Sequence, residues 1–362
     1  GSINSMVWFR GCQQDYAGWA VPGWGASEVW RSFAAVEARV QLLKTTFAGS
    51  WGPRTQDVLH AAVLTLARQP NMTLVELPLL LTDETFRRGI TKSVAGDVAL
   101  GPFWRWYESL SDGERSQVIS PVLNKIRPFI MRPSVRRIVG QAKPTFDLLD
   151  VFTKRRILLV PLQRGVIGPE TANLLASMIV AQMWQATQAR ASIDPARRHP
   201  VMVYLDEFQS YLHLPTELDD VLAQARGLGV GLTLAHQHLG QLTDPTIRSG
   251  GMMNARSRIV FQSGEGDAKE LARSLGSGLT AGDIEGLGAY QAYARLMASG
   301  SSTSAGSLST LPLSDSLSSA DEARRRSRER FARPAIEVDE EIRERSQTPQ
   351  DNRSGGGRRR AS

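Results

Sequence analysis

The chain has 362 residues, 41% hydrophobic and 22% charged, which are values of an ordinary globular protein of about two domains. Its 43 basic against 36 acidic residues leave a formal charge of +7, too modest over this length to name a partner. Only six of the basic residues are lysines (Lys44, Lys92, Lys125, Lys143, Lys154 and Lys269) and none follows a glycine, which excludes a G-x-x-x-x-G-K-[ST] phosphate loop within these residues. The single cysteine, Cys12, excludes an internal disulfide and a cysteine-based zinc site and fits a reducing compartment. No apolar run approaches the ~18 residues of a membrane span, and Gly1 to Arg10 lack a signal-peptide pattern.

Residues 1–25 carry Trp8, Trp19 and Trp24 among glycines without a clear period and stay unassigned. From 26 to 150 the pattern is helical. Val29, Trp30, Phe33, Val36, Val40, Leu43 and Phe47 share one helix face. Pro53 opens a second helix with Val58, Leu59, Ala62, Val63 and Leu66 as its apolar stripe, closed by Pro70. Shorter helices are expected near 83–91, 103–110 and 114–131, with Pro121 kinking or dividing the last.

From 151 to 298 short apolar runs alternate with helical patterns. Ile157–Leu162, Val201–Leu205, Gly231–Ala235 and Ile259–Phe261 read as strands. The segments from Glu170 to Arg190, Glu217 to Arg226 and Asp267 to Leu275 read as helices, and Tyr290–Leu296 alternates like an edge strand. Such alternation predicts parallel βαβ units with both sheet faces covered. From Ser299 the chain turns serine-rich and then arginine-rich. Residues 299–362 are expected to be a linker and a disordered basic tail, apart from a helix near Arg324 to Arg333.

The sharpest local feature is Val201-Met202-Val203-Tyr204-Leu205-Asp206-Glu207. An apolar strand ending in Asp-Glu is the Walker B pattern. It brings two carboxylates to the carboxyl edge of a parallel sheet, where ligands bind in open α/β folds. In that pattern Asp206 holds Mg²⁺ and Glu207 orients or activates the attacking water. An isolated match of this kind is more often a strand ending in a solvated turn. The next strand ends at Gln237, an amide able to sense a γ-phosphate or the attacking water or simply to cap a loop. Arg226 ends the helix between the two strands. It reads either as a cation at a helix C-terminus or as an arginine finger for a neighbouring subunit.

Three stretches in this order, Asp206-Glu207-Phe208-Gln209, Gln224-Ala225-Arg226-Gly227-Leu228-Gly229 and Leu232 to Gln237 with Gln241-Leu242, resemble the TraG/TraD-type coupling ATPases of conjugative DNA transfer, within the FtsK/HerA group. Trp51-Gly52-Pro53-Arg54-Thr55, Leu80-Leu81-Thr82-Asp83, Pro121 to Lys125, Gly140-Gln141, Arg156 to Val160 and Asp267-Ala268 extend the resemblance over about 26–298. The resemblance implies an incomplete RecA-like parallel-sheet P-loop core at 151–298, preceded by an all-α domain at 26–150. It implies ATP and Mg²⁺ as cofactors, Asp206 as the metal ligand, Glu207 as the water-activating group, Gln237 as sensor and Arg226 as finger. Its implied partners are single-stranded DNA with its relaxase, the type IV secretion channel and further copies of the chain in a hexamer. The implied location is the inner face of the plasma membrane, with anchoring helices outside this sequence. The family's phosphate loop is absent, so the chain is expected to be a C-terminal portion and to hydrolyse ATP poorly by itself. Two other readings remain: a truncated non-catalytic homologue that binds DNA or a partner, and another FtsK/HerA-type translocase.

Outside the motor motifs, Arg132, Arg136 and Arg137 form a candidate phosphate-binding cluster, against the alternative of solvated cations. Trp104, Trp106 and Tyr107 fit core packing better than base stacking.

Overall fold

The computed structural model describes residues 52–347 except 163, 213–217, 244–247, 249–254, 277, 313 and 317–318. The expected helix at 29–47, the three early tryptophans and Cys12 lie outside the described residues. The chain divides into two units, one made of residues up to Thr145 and from Ala332 onward, the other of Phe146–Phe331.

The described elements of the first unit are all helices. Pro53–Ala67 (α1) begins with proline in its first turn and buries the predicted stripe of Val58, Leu59, Ala62, Val63 and Leu66. Leu77–Thr82 (α2), Glu84–Thr91 (α3) and Leu100–Ser109 (α4) follow. Asp112–Ile130 (α5) starts with a capping box in which Ser111 and Glu114 satisfy each other's backbone donors. It runs through Pro121 and Pro128 as one helix rather than dividing at Pro121, and it packs Val118, Val122 and Ile126 into the core against α1. Pro133–Val139 (α6) completes this stretch.

The aromatic group on α4 is core, as its spacing suggested. Trp104 is buried and its indole N–H donates to Thr65 Oγ1 at 2.9 Å. Tyr107 is fully buried, donates to Leu81 O at 2.7 Å and has the guanidinium carbons of Arg87 and Arg115 5.1 and 5.6 Å from its ring centroid. Burial pushes its phenol up to about 12. Only Trp106, 41% exposed, faces solvent.

The second unit is α/β. Leu148–Thr153 (α7), the short Arg164–Ile167 (α8) and Pro169–Ala189 (α9) precede Val201–Asp206 (β1). Leu218–Gly227 (α10) then leads to Val230–Ala235 (β2), parallel to β1 with Val201 opposite Val230 and Asp206 opposite Ala235. One face of this pair packs on α9 and α10 through Val180, Met183, Trp184, Val221 and Ala225. On the other face Met202 and Tyr204 are 59% and 72% exposed.

The parallel sheet is smaller than the sequence pattern predicts. Residues 157–162 take no strand conformation. They line a groove of about 750 Å³ opposite α9 and β1, with Ile157 and Leu159 almost fully exposed. An apolar run becomes a strand only when a neighbour takes its backbone hydrogen bonds, and the groove separates this run from β1. Ile259–Phe261 does not extend the parallel sheet either. Arg258–Phe261 (β3) is followed by Glu265–Leu275 (α11), Ala281–Glu285 (α12) and Gln291–Arg295 (β4). β3 pairs antiparallel with β4 from Arg258 opposite Arg295 to Phe261 opposite Ala292. Beyond Met297–Ala298 (β5) and Ser301–Ser302 (β6), Gly306–Ser309 (β7) pairs along the other side of β4. The predicted edge strand is therefore central in its sheet, and Ala292 and Ala294 are buried.

Among its described residues, the stretch expected to be a linker and disordered tail forms regular elements up to Ser346. Besides β6 and β7 it forms Ala320–Phe331 (α13), where a helix was predicted, and Ala335–Ser346 (α14). Residues 348–362 lie outside the described residues.

α14 belongs to the first unit and packs on α6 and on the turn Leu74–Glu76. It buries Val338 and Ile342. Arg345 donates to the fully buried Glu76 carboxylate at 3.0 Å and to Gly140 O at 2.6 Å. Gly140 is required by close approach: a Cβ there would lie 2.6 Å from Arg136 O and 2.7 Å from Ile342 Cδ1. Gly140→Ala is expected to destabilise this unit by about 1–3 kcal/mol, the range for overpacking. Amide hydrogen exchange should show the loss as faster exchange in α14.

Candidate functional site

The strand β1 delivers Asp206 and Glu207 to the carboxyl edge of the parallel pair, and β2 delivers Gln237 to the same edge two residues beyond its end. Glu207 has φ +52°, in the left-handed region. A non-glycine residue there costs roughly 1–2 kcal/mol, and such strain clusters at functional sites. The conformation breaks the strand and turns the chain into the short Phe208–Ser210 helix. Phe208 is buried and anchors the turn, with its ring edge-on to His236 at 6.0 Å between centroids.

Both oxygens of the Glu207 carboxylate are held. Gln237 Nε2 donates to Oε1 at 2.7 Å and Gln209 Nε2 donates to Oε2 at 2.7 Å. Gln209 Nε2 also lies 3.1 Å from Gln241 Oε1, and that oxygen accepts the Gln237 backbone N–H at 3.3 Å. Three amides thus fix the orientation of one carboxylate and leave it lone pairs for a water. Gln209 and Gln241 belong to the motifs legible in the sequence, but their role emerges only from these contacts.

The Asp206 carboxylate is exposed, and the Asp206 carbonyl accepts the Tyr211 hydroxyl. Burial raises the Tyr211 pKa, and the Asp206 charge adds to it. Asp267, at the start of α11, accepts the Leu239 backbone N–H at 2.7 Å and so ties the loop after Gln237 to that helix.

Arg226 is not part of this cluster. It lies in the last turn of α10, exposed, where the chain enters the amino end of β2. The parallel register puts that end opposite Val201, at the far edge of the sheet from Glu207. Within one chain Arg226 therefore cannot serve this carboxylate edge.

The donor set suits a hard cation in part. Asp206 and Glu207 offer carboxylate oxygens, and Mg²⁺ is bound through one or two carboxylates with waters and phosphates rather than by an all-protein cage. No group of three or more His, Cys, Asp or Glu side chains able to hold a metal occurs among the described residues. Gln209 Oε1 and His236 Nδ1 are buried beside the cluster without a partner, a deficit of the kind a bound group or water fills. The chain's sequence supplies no lysine-bearing phosphate loop, so the phosphate side of a nucleotide site is not built from these residues.

The α/β unit thus presents two adjacent carboxylates and an amide at one edge of its parallel strand pair. Residues 101–278 match the sequence profile of the type IV secretory system conjugative DNA transfer family. That segment includes Asp206, Glu207 and Gln237, and the family is the one the residue motifs resemble.

Among solved structures, the unbound bacterial conjugative coupling protein TrwBdeltaN70 is 14% identical, with a TM-score of 0.48 over 75% of this chain and 66% of that one. TrwB with the non-hydrolysable ATP analogue ADPNP is 14% identical, with a TM-score of 0.48 over 77% and 68%. TrwB with ADP and Mg²⁺ is 14% identical, with a TM-score of 0.45 over the same shares, 77% and 68%. The chain spans about two thirds of the length of these structures. No curated protein sequence matches it. No helix among the described residues is long and apolar enough to cross a membrane.

Proposed function

We propose that the chain is the motor portion of a conjugative DNA-transfer ATPase, working as a hexamer that moves single-stranded DNA with its relaxase toward a type IV secretion channel. The observation that carries this reading is the Gln237–Glu207 hydrogen bond at the carboxyl edge of β1 and β2, inside the segment that matches the family. In this reading Asp206 holds Mg²⁺, Glu207 takes the proton of the attacking water and Gln237 reports the state of that carboxylate. Arg226, on the opposite edge of the sheet, acts as a finger only across a subunit boundary. ATP and Mg²⁺ are the proposed cofactors, and anchoring at the inner face of the membrane falls to a segment outside these residues.

The phosphate loop also comes from outside these residues, so the purified chain is expected to show negligible Mg²⁺-dependent ATP turnover. Robust turnover lost in Glu207→Gln would show a complete site and overturn the partial-motor reading. Binding of a single-stranded oligonucleotide, followed by anisotropy across a salt series, should weaken linearly in log–log form. A flat plot would count against phosphate contacts.

A second reading, a non-catalytic binding module, is favoured by the missing phosphate loop alone. Sequencing upstream of the reading frame separates the two. An in-frame G-x-x-x-x-G-K-[ST] supports the motor, and a stop codon followed by a start site supports the module.

A further inference from the structure

The arginine cluster at 132–137 reads in the sequence as a surface for phosphates. In the structure its last two members face α14 rather than open solvent. Asp339 accepts from Arg137 Nε at 3.1 Å and from Arg137 Nη2 at 2.7 Å, and Arg136 stands 4.0 Å away. The fork-on-carboxylate geometry is the one a guanidinium also offers to a phosphate. Arg137 draws the Asp339 carboxyl below the usual carboxylate range, first by hydrogen bonding and then by charge, with Arg136 and Arg343 adding to it. The helix as a whole is acidic, with Glu337, Asp339, Glu340, Glu341 and Glu344 against Arg343 and Arg345.

We propose that α14 is an intramolecular stand-in for nucleic acid: the Asp339 carboxylate occupies the guanidinium of Arg137, with Arg136 beside it, and competes with the phosphate backbone of DNA for that face. This rests on the DNA-handling reading above. The competition is local. α14 stays seated through Val338, Ile342 and the Arg345–Glu76 pair, while the Asp339–Arg137 contact, 20% and 38% exposed on its two sides, opens to an incoming phosphate. Solvent-accessible ion pairs of this kind are weakly held, so a polyanion can displace one.

The test compares single-stranded oligonucleotide binding by the full chain and three variants across a salt series. Asp339→Asn keeps the packing of α14 and removes the competing charge. It should tighten binding several-fold at low salt and steepen the log–log slope by about 0.7 for each additional phosphate bound. Arg137→Gln in the Asp339→Asn background should abolish that tightening. Glu337→Gln removes the same charge from the same helix, but its partner is Arg333 at 3.9 Å. It should leave binding near that of the parent.

Equal tightening by Glu337→Gln and Asp339→Asn would mean a general charge effect and would overturn the competition. So would a parent chain that binds DNA with a steep salt slope while Asp339→Asn behaves identically, and the DNA reading would survive that result. If neither the parent nor Asp339→Asn binds the oligonucleotide at low salt, the DNA reading fails and the competition fails with it.

Discussion

Arg190→Met is expected to lower the unfolding free energy by about 3 kcal/mol, the scale set by stranding several buried acceptors. Arg190 is 1% exposed at the end of α9, and its ligands are backbone carbonyls. Nε donates to Leu228 O at 2.9 Å, Nη1 to Phe152 O at 3.4 Å and Nη2 to His199 O. One guanidinium thereby joins α9 and α7 to the chain entering β1 and to the chain entering β2. Burial, with Arg198 adding, pulls its pKa below the usual arginine value. The cation is tolerated because its planar fork reaches several oxygens at once.

Methionine fills much of the stem's volume but leaves those carbonyls without a donor, at about 1–3 kcal/mol for each that water cannot reach. Urea titration should show the midpoint falling with an unchanged m-value. Arg190→Lys should recover only part of the loss, since an ammonium group cannot span the three oxygens. A midpoint unmoved by Arg190→Met would mean that water already satisfies them.

Phe208→Ala should cost about 3–5 kcal/mol, the range for deleting a buried aromatic ring. Phe208 is 2% exposed and follows the residue held in the left-handed region. Its carbonyl accepts the backbone N–H groups of Tyr211 and Leu212. The ring is the wedge that lets Glu207 hold its strained φ, because the turn can relax only by withdrawing Phe208 from the core. Thermal unfolding should therefore register the cavity. Phe208→Leu, which fills most of it, should lose much less. If Phe208→Ala costs under about 1 kcal/mol, well below the cavity range, the turn is not anchored by this side chain.

These expectations rest on features of unequal legibility in the sequence. The start of α1 is marked by Pro53. Local chemistry of that kind is readable because capping and proline geometry depend on neighbours a few positions away. Strands β1 and β2 were legible as short apolar runs between helical patterns, although the expectation that both sheet faces are covered fails at Met202 and Tyr204, which are exposed.

Residues 157–162 misled because a run of Ile, Leu and Val reports hydrophobicity, whereas strand formation needs a bonded neighbour. The site was half legible. Asp206, Glu207 and Gln237 follow from motif and register. The positive φ of Glu207, the clamp on its carboxylate by Gln209 and Gln237, and the bracing of both by Gln241 depend on backbone geometry and contacts that no spacing encodes.

α14 was the least legible element. Its buried stripe is only Val338 and Ile342, one helical turn. Its decisive partner for Arg345, Glu76, lies 269 positions away. A strongly charged segment with so short a stripe has the composition of a solvated tail.

The division of the chain into units carries a consequence for how the protein is made. The helical unit draws its last helix from beyond Ala332, whereas the α/β unit is one continuous stretch, Phe146–Phe331. During vectorial synthesis, domains complete in the order in which their residues emerge. The α/β unit can therefore finish first, although it is encoded second. The helices encoded ahead of it gain the Arg345 partner of the Glu76 carboxylate only once α14 has emerged.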